Sequence, residues 1–168
     1  MAPSFKHQPE GIDASYIIYA ADLLRDTVSN PAEARIEFAK RLTFHYAVGN
    51  ADAHLKNSSL LYDEAWQSRR LAPMYDITCI PLSGYSTRLP FDFGSHRMME
   101  DVDAKDILAI AIDCDVDLSS FDNAIREVIA GFDSPNTKGL DTNAQLMLER
   151  IVDNAKPRIA VLQQFLRG

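Results

Sequence analysis

Two aspartates and an asparagine carry the chemical promise of this 168-residue sequence: Asp52, Asn57 five residues on, and Asp76 beyond a short polar turn. Carboxylate and amide oxygens are hard donors, suited to a small divalent cation such as Mg2+. A carboxylate can also orient an attacking hydroxyl and accept its proton. Phosphoryl transfer needs both, a base and oxygen ligands for the metal that bridges the nucleotide phosphates. The plainer alternative is that Asp52 and Asn57 serve only as a helix stop and loop caps, as such residues commonly do after a helix. His54 and Lys56 lie between them. His54 either supports the reaction or hydrogen-bonds within the loop, and Lys56 is either a solvated charge or a phosphate contact.

The elements that must hold these residues can be read on either side. Asp13 is placed to cap a helix running to about Val28, with Tyr16, Ile17, Ala20, Leu23 and Leu24 at helical spacing. Asn30 and Pro31 start a second helix over about 31 to 48. Its apolar residues cover most of the circumference, leaving a polar strip of Glu33, Glu37, Lys40 and Arg41, so it reads as a buried spine. Gly49 and Asn50 stop it, and the polar cluster follows at once. Ser59 to Tyr62 and Arg69 to Ala72 read as the strands of a small hairpin, followed by an extended Met74 to Ile77. From Thr78 to Met99 the pattern is irregular, broken by Pro81, Gly84, Pro90 and Gly94. Three more helices are predicted over about 103 to 113, 119 to 131 and 142 to 166, with Pro157 expected to kink or divide the last. The fold class is therefore mainly α with a small β hairpin.

Protein kinases place a catalytic carboxylate and one metal ligand in a single loop, Asp-x-x-x-x-Asn, with a second metal-binding Asp after a short hairpin. Asp52, Asn57 and Asp76 match that order, and His54 gives the Asp-x-His-x-x-Asn form of phosphoinositide and related atypical kinases. The longer runs are more specific. Gly49-Asn50-Ala51-Asp52-Ala53-His54-Leu55-Lys56-Asn57 and Leu71-Ala72-Pro73-Met74-Tyr75-Asp76-Ile77 closely resemble the HipA family of bacterial serine/threonine kinase toxins. The resemblance is weaker through the later helices but covers nearly the whole chain. It implies the carboxy-terminal lobe of a protein-kinase-like fold, with Asp52 as catalytic base and His54 as a supporting catalytic residue. It further implies cofactor binding by Lys56, Asn57 and Asp76, with Asn57 and Asp76 as metal ligands. Tyr75 and Ile77 would pack to hold Asp76. The implied cofactors are ATP and Mg2+. The implied partners are a protein hydroxyl as acceptor, on an aminoacyl-tRNA synthetase in well-known relatives, and an antitoxin of the HipB type.

Asp92-Phe93-Gly94 spells the metal-binding signature of ordinary protein kinases, yet lies 35 residues after Asn57, against 19 for Asp76. Kinase hairpins are short, so Asp76 is the better candidate and the other triplet a coincidence. Arg69, Arg70, Arg88, His96 and Arg97 read as surface charge by default, with contact to phosphate or an acidic partner as the alternative. The run Asp113-Cys114-Asp115-Val116-Asp117 lacks the glycine and closing glutamate of a calcium loop and reads as a capped helix junction.

A complete kinase also has a glycine-rich cover over the phosphates and a strand lysine. The seven glycines here are scattered, and the roughly fifty residues before Asp52 read as two helices. An amino-terminal nucleotide-clamping lobe is therefore not expected within this sequence, and activity of the chain alone is doubtful. The single domain would be a piece of a longer kinase, half of a split toxin, or a lobe used as a fold only. The rival function is a non-catalytic module that docks to an antitoxin or to a separate amino-terminal half. A third reading is a metal-dependent phosphohydrolase.

A net charge of −7 argues against direct nucleic-acid binding, which depends on Lys and Arg displacing counterions. No stretch approaches the roughly 18 apolar residues of a membrane span, and the first residues lack the apolar core of a signal peptide. Cys79 and Cys114, without CxxC spacing, read as reduced structural thiols, which fits a cytoplasmic protein.

Overall fold

The computed structural model describes residues 15–168. The helix cap expected at Asp13 lies outside them. Within them the cap is Ser15, whose Oγ accepts from the backbone N–H of Ile17 and Ile18. Helix α1, Tyr16–Thr27, buries Ile17, Ala21 and Leu24 and turns Leu23 outward, so the buried stripe is offset from the one expected.

Helix α2, Pro31–Val48, forms where the sequence placed it, with Asn30 as N-cap and Pro31 in the first turn. Phe38, Ala39, Leu42, Tyr46 and Ala47 along it are almost wholly enclosed, and α1 and the three later helices pack around it. Gly49 ends it in the left-handed conformation, with φ of 84°. A methyl group there would stand 2.9 Å from Pro81 Cδ and 3.1 Å from Arg158 Nη2. Glycine is thus required at this stop twice over, for its φ and for the close approach.

Strands β1, Leu60–Tyr62, and β2, Arg69–Leu71, form the expected antiparallel hairpin, with Leu60 opposite Leu71. Residues 74–77, expected to be extended, pair with no strand, and Asp76 among them takes a left-handed φ of 56°. The segment read as irregular contains a single 3-10 turn, Ile80–Ser83, and then a second hairpin of β3, Arg88–Phe93, and β4, His96–Met98. Leu89, Phe91 and Phe93 alternate into the core from β3. Gly94 turns this hairpin with φ of 54°, and a methyl group there would lie 2.6 Å from Asp106 Oδ1.

Helices α3, Ala104–Asp113, α4, Leu118–Asp133, and α5, Thr142–Phe165, complete the chain. Asp103, Asp117 and Asp141 cap their N-termini, and Asp103 shares a reciprocal capping box with Asp106. Asp117 thus fulfils the helix-junction role expected of its acidic run. Helix α5 passes Pro157 undivided. Pro157 is exposed, while Ala155, Ile159 and Leu162 on the same helix are anchored in the core. One missing hydrogen bond on the solvent side does not outweigh that packing. The architecture is mainly α, with two small antiparallel hairpins.

Candidate active site

The site is assembled where the buried helix α2 stops. After Gly49 the chain folds on itself: the Asp52 N–H donates to Asn50 Oδ1 at 3.1 Å, and the His54 N–H to the Asp52 carbonyl at 2.8 Å. The 3-10 turn Leu55–Asn57 follows and brings Asn57 back toward Asp52. Asn57 Nδ2 donates to the Asp52 carbonyl at 3.3 Å and to Asp76 Oδ2 at 2.7 Å. The three residues singled out in the sequence are therefore in one place, linked through a single amide.

Asp52 leaves 43% of its side chain exposed, so its carboxylate can be reached from solvent. His54 is buried behind it, with Nε2 3.9 Å from Asp52 Oδ1. That separation suits support of the carboxylate's position better than contact with a substrate. Lys56 is exposed, and its carbonyl accepts a bond from Tyr75 Oη at 3.4 Å.

Asp76 is exposed and adopts φ of 56°, a left-handed conformation that few residues other than glycine, asparagine and aspartate tolerate. Such a backbone persists when its surroundings over-determine it. Here Asn50 Nδ2 donates to the Asp76 carbonyl at 3.2 Å and Asn57 holds the carboxylate. Tyr75 and Ile77 do not pack around Asp76 as expected, since they are 42% and 41% exposed. Tyr75 anchors the segment by hydrogen bonding instead, its Oη lying 2.7 Å from Ser59 Oγ.

Two residues do more here than the sequence indicated. Arg41, in the polar strip of α2, has a side chain only 11% exposed, and its Nη1 donates to the Ala72 carbonyl at 2.6 Å. It thereby ties α2 to the strand exit that leads to Asp76. Asn50 is fully enclosed, a polar side chain bonded to both halves of the site. Its place in the Gly-Asn-x-Asp run was the one available signal. His45, on the last turn of α2, has its pKa pushed down to about 4 by burial and by the Arg41 guanidinium. The ring is therefore neutral near pH 7, and its Nδ1 lies 3.1 Å from Asn50 Nδ2.

The Asp92-Phe93-Gly94 triplet lies elsewhere, in β3 and the turn after it. Phe93 is core, and Asp92 lies 3.7 Å from Arg97 Nε. Arg97, expected as surface charge, is mostly buried and donates to the Leu89 and Pro90 carbonyls. Arg69 places its guanidinium 5.4 Å from the centre of the Tyr62 ring.

Among the described residues, no group of three or more His, Cys, Asp or Glu side chains converges as a metal cage. The donor set at the site is instead one carboxylate, Asp76, beside one amide, Asn57. That is a poor structural zinc site. It fits Mg2+, which keeps several waters and takes its remaining ligands from one or two carboxylates and substrate phosphates.

A mainly helical lobe in which Asp52, Asn57 and Asp76 meet beyond a buried helix has the form of a kinase-like C-terminal lobe. Comparison with known proteins places it more closely. The HipA-like C-terminal domain matches residues 3–154, and the chain belongs to that family. A curated relative from Sinorhizobium fredii (strain NBRC 101917 / NGR234), named putative kinase Y4mE, is 33% identical over 84 residues, 49% of this chain and 20% of the relative. The HipA toxin–HipB–operator DNA complex of Shewanella oneidensis MR-1 contains a chain of the same fold. It matches with a TM-score of 0.68 and 15% identity, over 93% of this chain and 38% of that one. The present chain thus spans well under half of each of these two proteins. Among the described residues, no helix is long and apolar enough to cross a membrane.

Proposed function

We propose that this chain is the catalytic lobe of an ATP- and Mg2+-dependent serine/threonine protein kinase, acting as a cytoplasmic HipA-type toxin. The observation that carries the reading is the single amide of Asn57, bonded at once to the Asp52 carbonyl and to the Asp76 carboxylate. Two residues distant in sequence need no such juxtaposition to cap a helix or close a hairpin.

Bound Mg-ATP would supply the transferable phosphoryl group and a cation to neutralise its charge. Asp76 and Asn57 would hold that cation through their side-chain oxygens, and Lys56, exposed beside them, would approach the phosphates. Asp52 would orient the acceptor hydroxyl and take its proton, its carboxylate being the accessible one in the loop. His54 would keep that carboxylate in position from behind. The partners follow the same reading: a protein serine or threonine as acceptor, such as one on an aminoacyl-tRNA synthetase, a HipB-like antitoxin, and an amino-terminal lobe to clamp the nucleotide.

A non-catalytic docking module is the second reading, favoured by the scattered glycines of the sequence, no pair of which has the spacing of a phosphate-cradling loop. Incorporation of phosphate from ATP into protein separates the two. The kinase reading expects Asp52→Asn to lower incorporation by about 100-fold or more, the usual weight of a general base. Incorporation or growth inhibition that survives the substitution unchanged supports the docking module instead.

A further inference from the structure

Asn50 follows the left-handed Gly49 and has no exposed surface. Burying a primary amide is costly unless its donors and acceptors are matched. Here both ends are used. Oδ1 accepts from the Asp52 N–H at 3.1 Å and from Thr78 Oγ1 at 3.0 Å. Nδ2 donates to the Asp76 carbonyl at 3.2 Å and faces His45 Nδ1 at 3.1 Å. One end of the amide therefore holds the base loop, and the other holds the backbone of the left-handed Asp76. A neutral His45, carrying its proton on Nε2, offers Nδ1 as an acceptor, which selects the end of the amide that must point toward it.

We infer that Asn50 is a positioning residue: its amide sets the spacing between the Asp52 loop and Asp76, and His45 Nδ1 sets the orientation of that amide. What the two aspartates accomplish rests on the phosphoryl-transfer reading; the tether itself is a property of the loop. Its importance follows from geometry, because displacing a catalytic group by about 1 Å can cost on the order of 100-fold in rate. Asn50 touches no substrate in this role. It acts through the residues it joins.

The test uses the 168-residue chain and two readouts that a purely structural role would not move selectively. The first is backbone amide hydrogen exchange followed by NMR. The second is titration with Mn2+ alone, followed by paramagnetic broadening of the Asn57 and Asp76 signals. In Asn50→Leu, the Asp52 amide is expected to exchange about tenfold faster, the equivalent of one lost hydrogen bond, while the buried Ile107 and Ile125 amides keep their protection. Mn2+ binding is expected to weaken by about tenfold as the Asn57–Asp76 pair loosens. His45→Phe leaves Asn50 in place and should give the same pattern at about threefold. If Asn50→Leu does not fold, the His45→Phe result decides alone. The tether is overturned if Asp52 exchange stays unchanged in the folded variants, or if core amides accelerate in step with it. Wild-type protein that binds no Mn2+ would count against the metal-dependent reading, while Asp52 exchange would still decide the tether.

Discussion

Asn57 Nδ2 lies 2.7 Å from Asp76 Oδ2 across a separation of 19 residues. That contact closes the loop after α2 onto the segment leaving the first hairpin. The proposed ligands are thus held as a pair by the protein itself, before any cation contributes. Several consequences of this construction can be measured.

Arg41 joins α2 to the Ala72 carbonyl and also bonds Glu37 on its own helix. Arg41→Met keeps the apolar stem and removes both bonds, leaving the Ala72 carbonyl short of a charged donor. Urea denaturation should show a loss of about 2 kcal/mol, the weight of a hydrogen bond to a charged group in a half-buried setting. Faster amide exchange concentrated over residues 72–76 should accompany it. A loss below about 0.5 kcal/mol would show that Arg41 is an ordinary surface charge.

His45 gives the fold a pH dependence of defined sign. Its pKa is about 4 in the folded chain against 6.5 in an unfolded one. Above pH 6.5 the ring is neutral in both states and costs nothing. As pH falls from 6.5 toward 4, the unfolded chain binds a proton that the folded chain refuses, so stability drops. The full loss is on the order of 3 kcal/mol. Denaturant melts at pH 7 and pH 4 should therefore show a steeper decline for the wild type than for His45→Gln. Equal declines would mean that His45 is not held neutral by burial.

The two requirements at Gly49 can be separated by comparison with Gly139. Both have φ of 84°, but nothing lies within 4 Å of a methyl group at Gly139, whereas Pro81 and Arg158 crowd Gly49. Gly139→Ala should cost about 1–2 kcal/mol from the backbone conformation alone. Gly49→Ala should cost about 1–3 kcal/mol more from overpacking. Equal losses would remove close approach as a reason for glycine at the end of α2.

Much of this was legible in the sequence because it depends on local signals. Asn30-Pro31 and Gly49 bound α2 by capping and stop chemistry, which needs no tertiary context. The polar run after Gly49 gave Asp52 and Asn57 by spacing, and the hairpin between Asn57 and Asp76 indicated where the third residue would return. The second hairpin was hidden because Pro90 and the flanking glycines masked the alternation of Leu89, Phe91 and Phe93. Pro157 divides no helix, and the breaker signal that suggested otherwise contains no information about which side of a helix faces solvent. Arg41 and Asn50 were underweighted for a related reason. An arginine in a polar strip and an asparagine after a helix look solvated until the chain returns from 72 to 78 to cover them.

Calorimetric titration with Mg-ATP, run on the wild-type chain beside Asp76→Ala, tests the central claim most directly. Binding that weakens by at least about tenfold in the variant is the expected result, since Asp76 supplies the one carboxylate of the proposed metal pair. Binding of equal strength in both proteins would contradict the claim that this site holds nucleotide through Asn57 and Asp76.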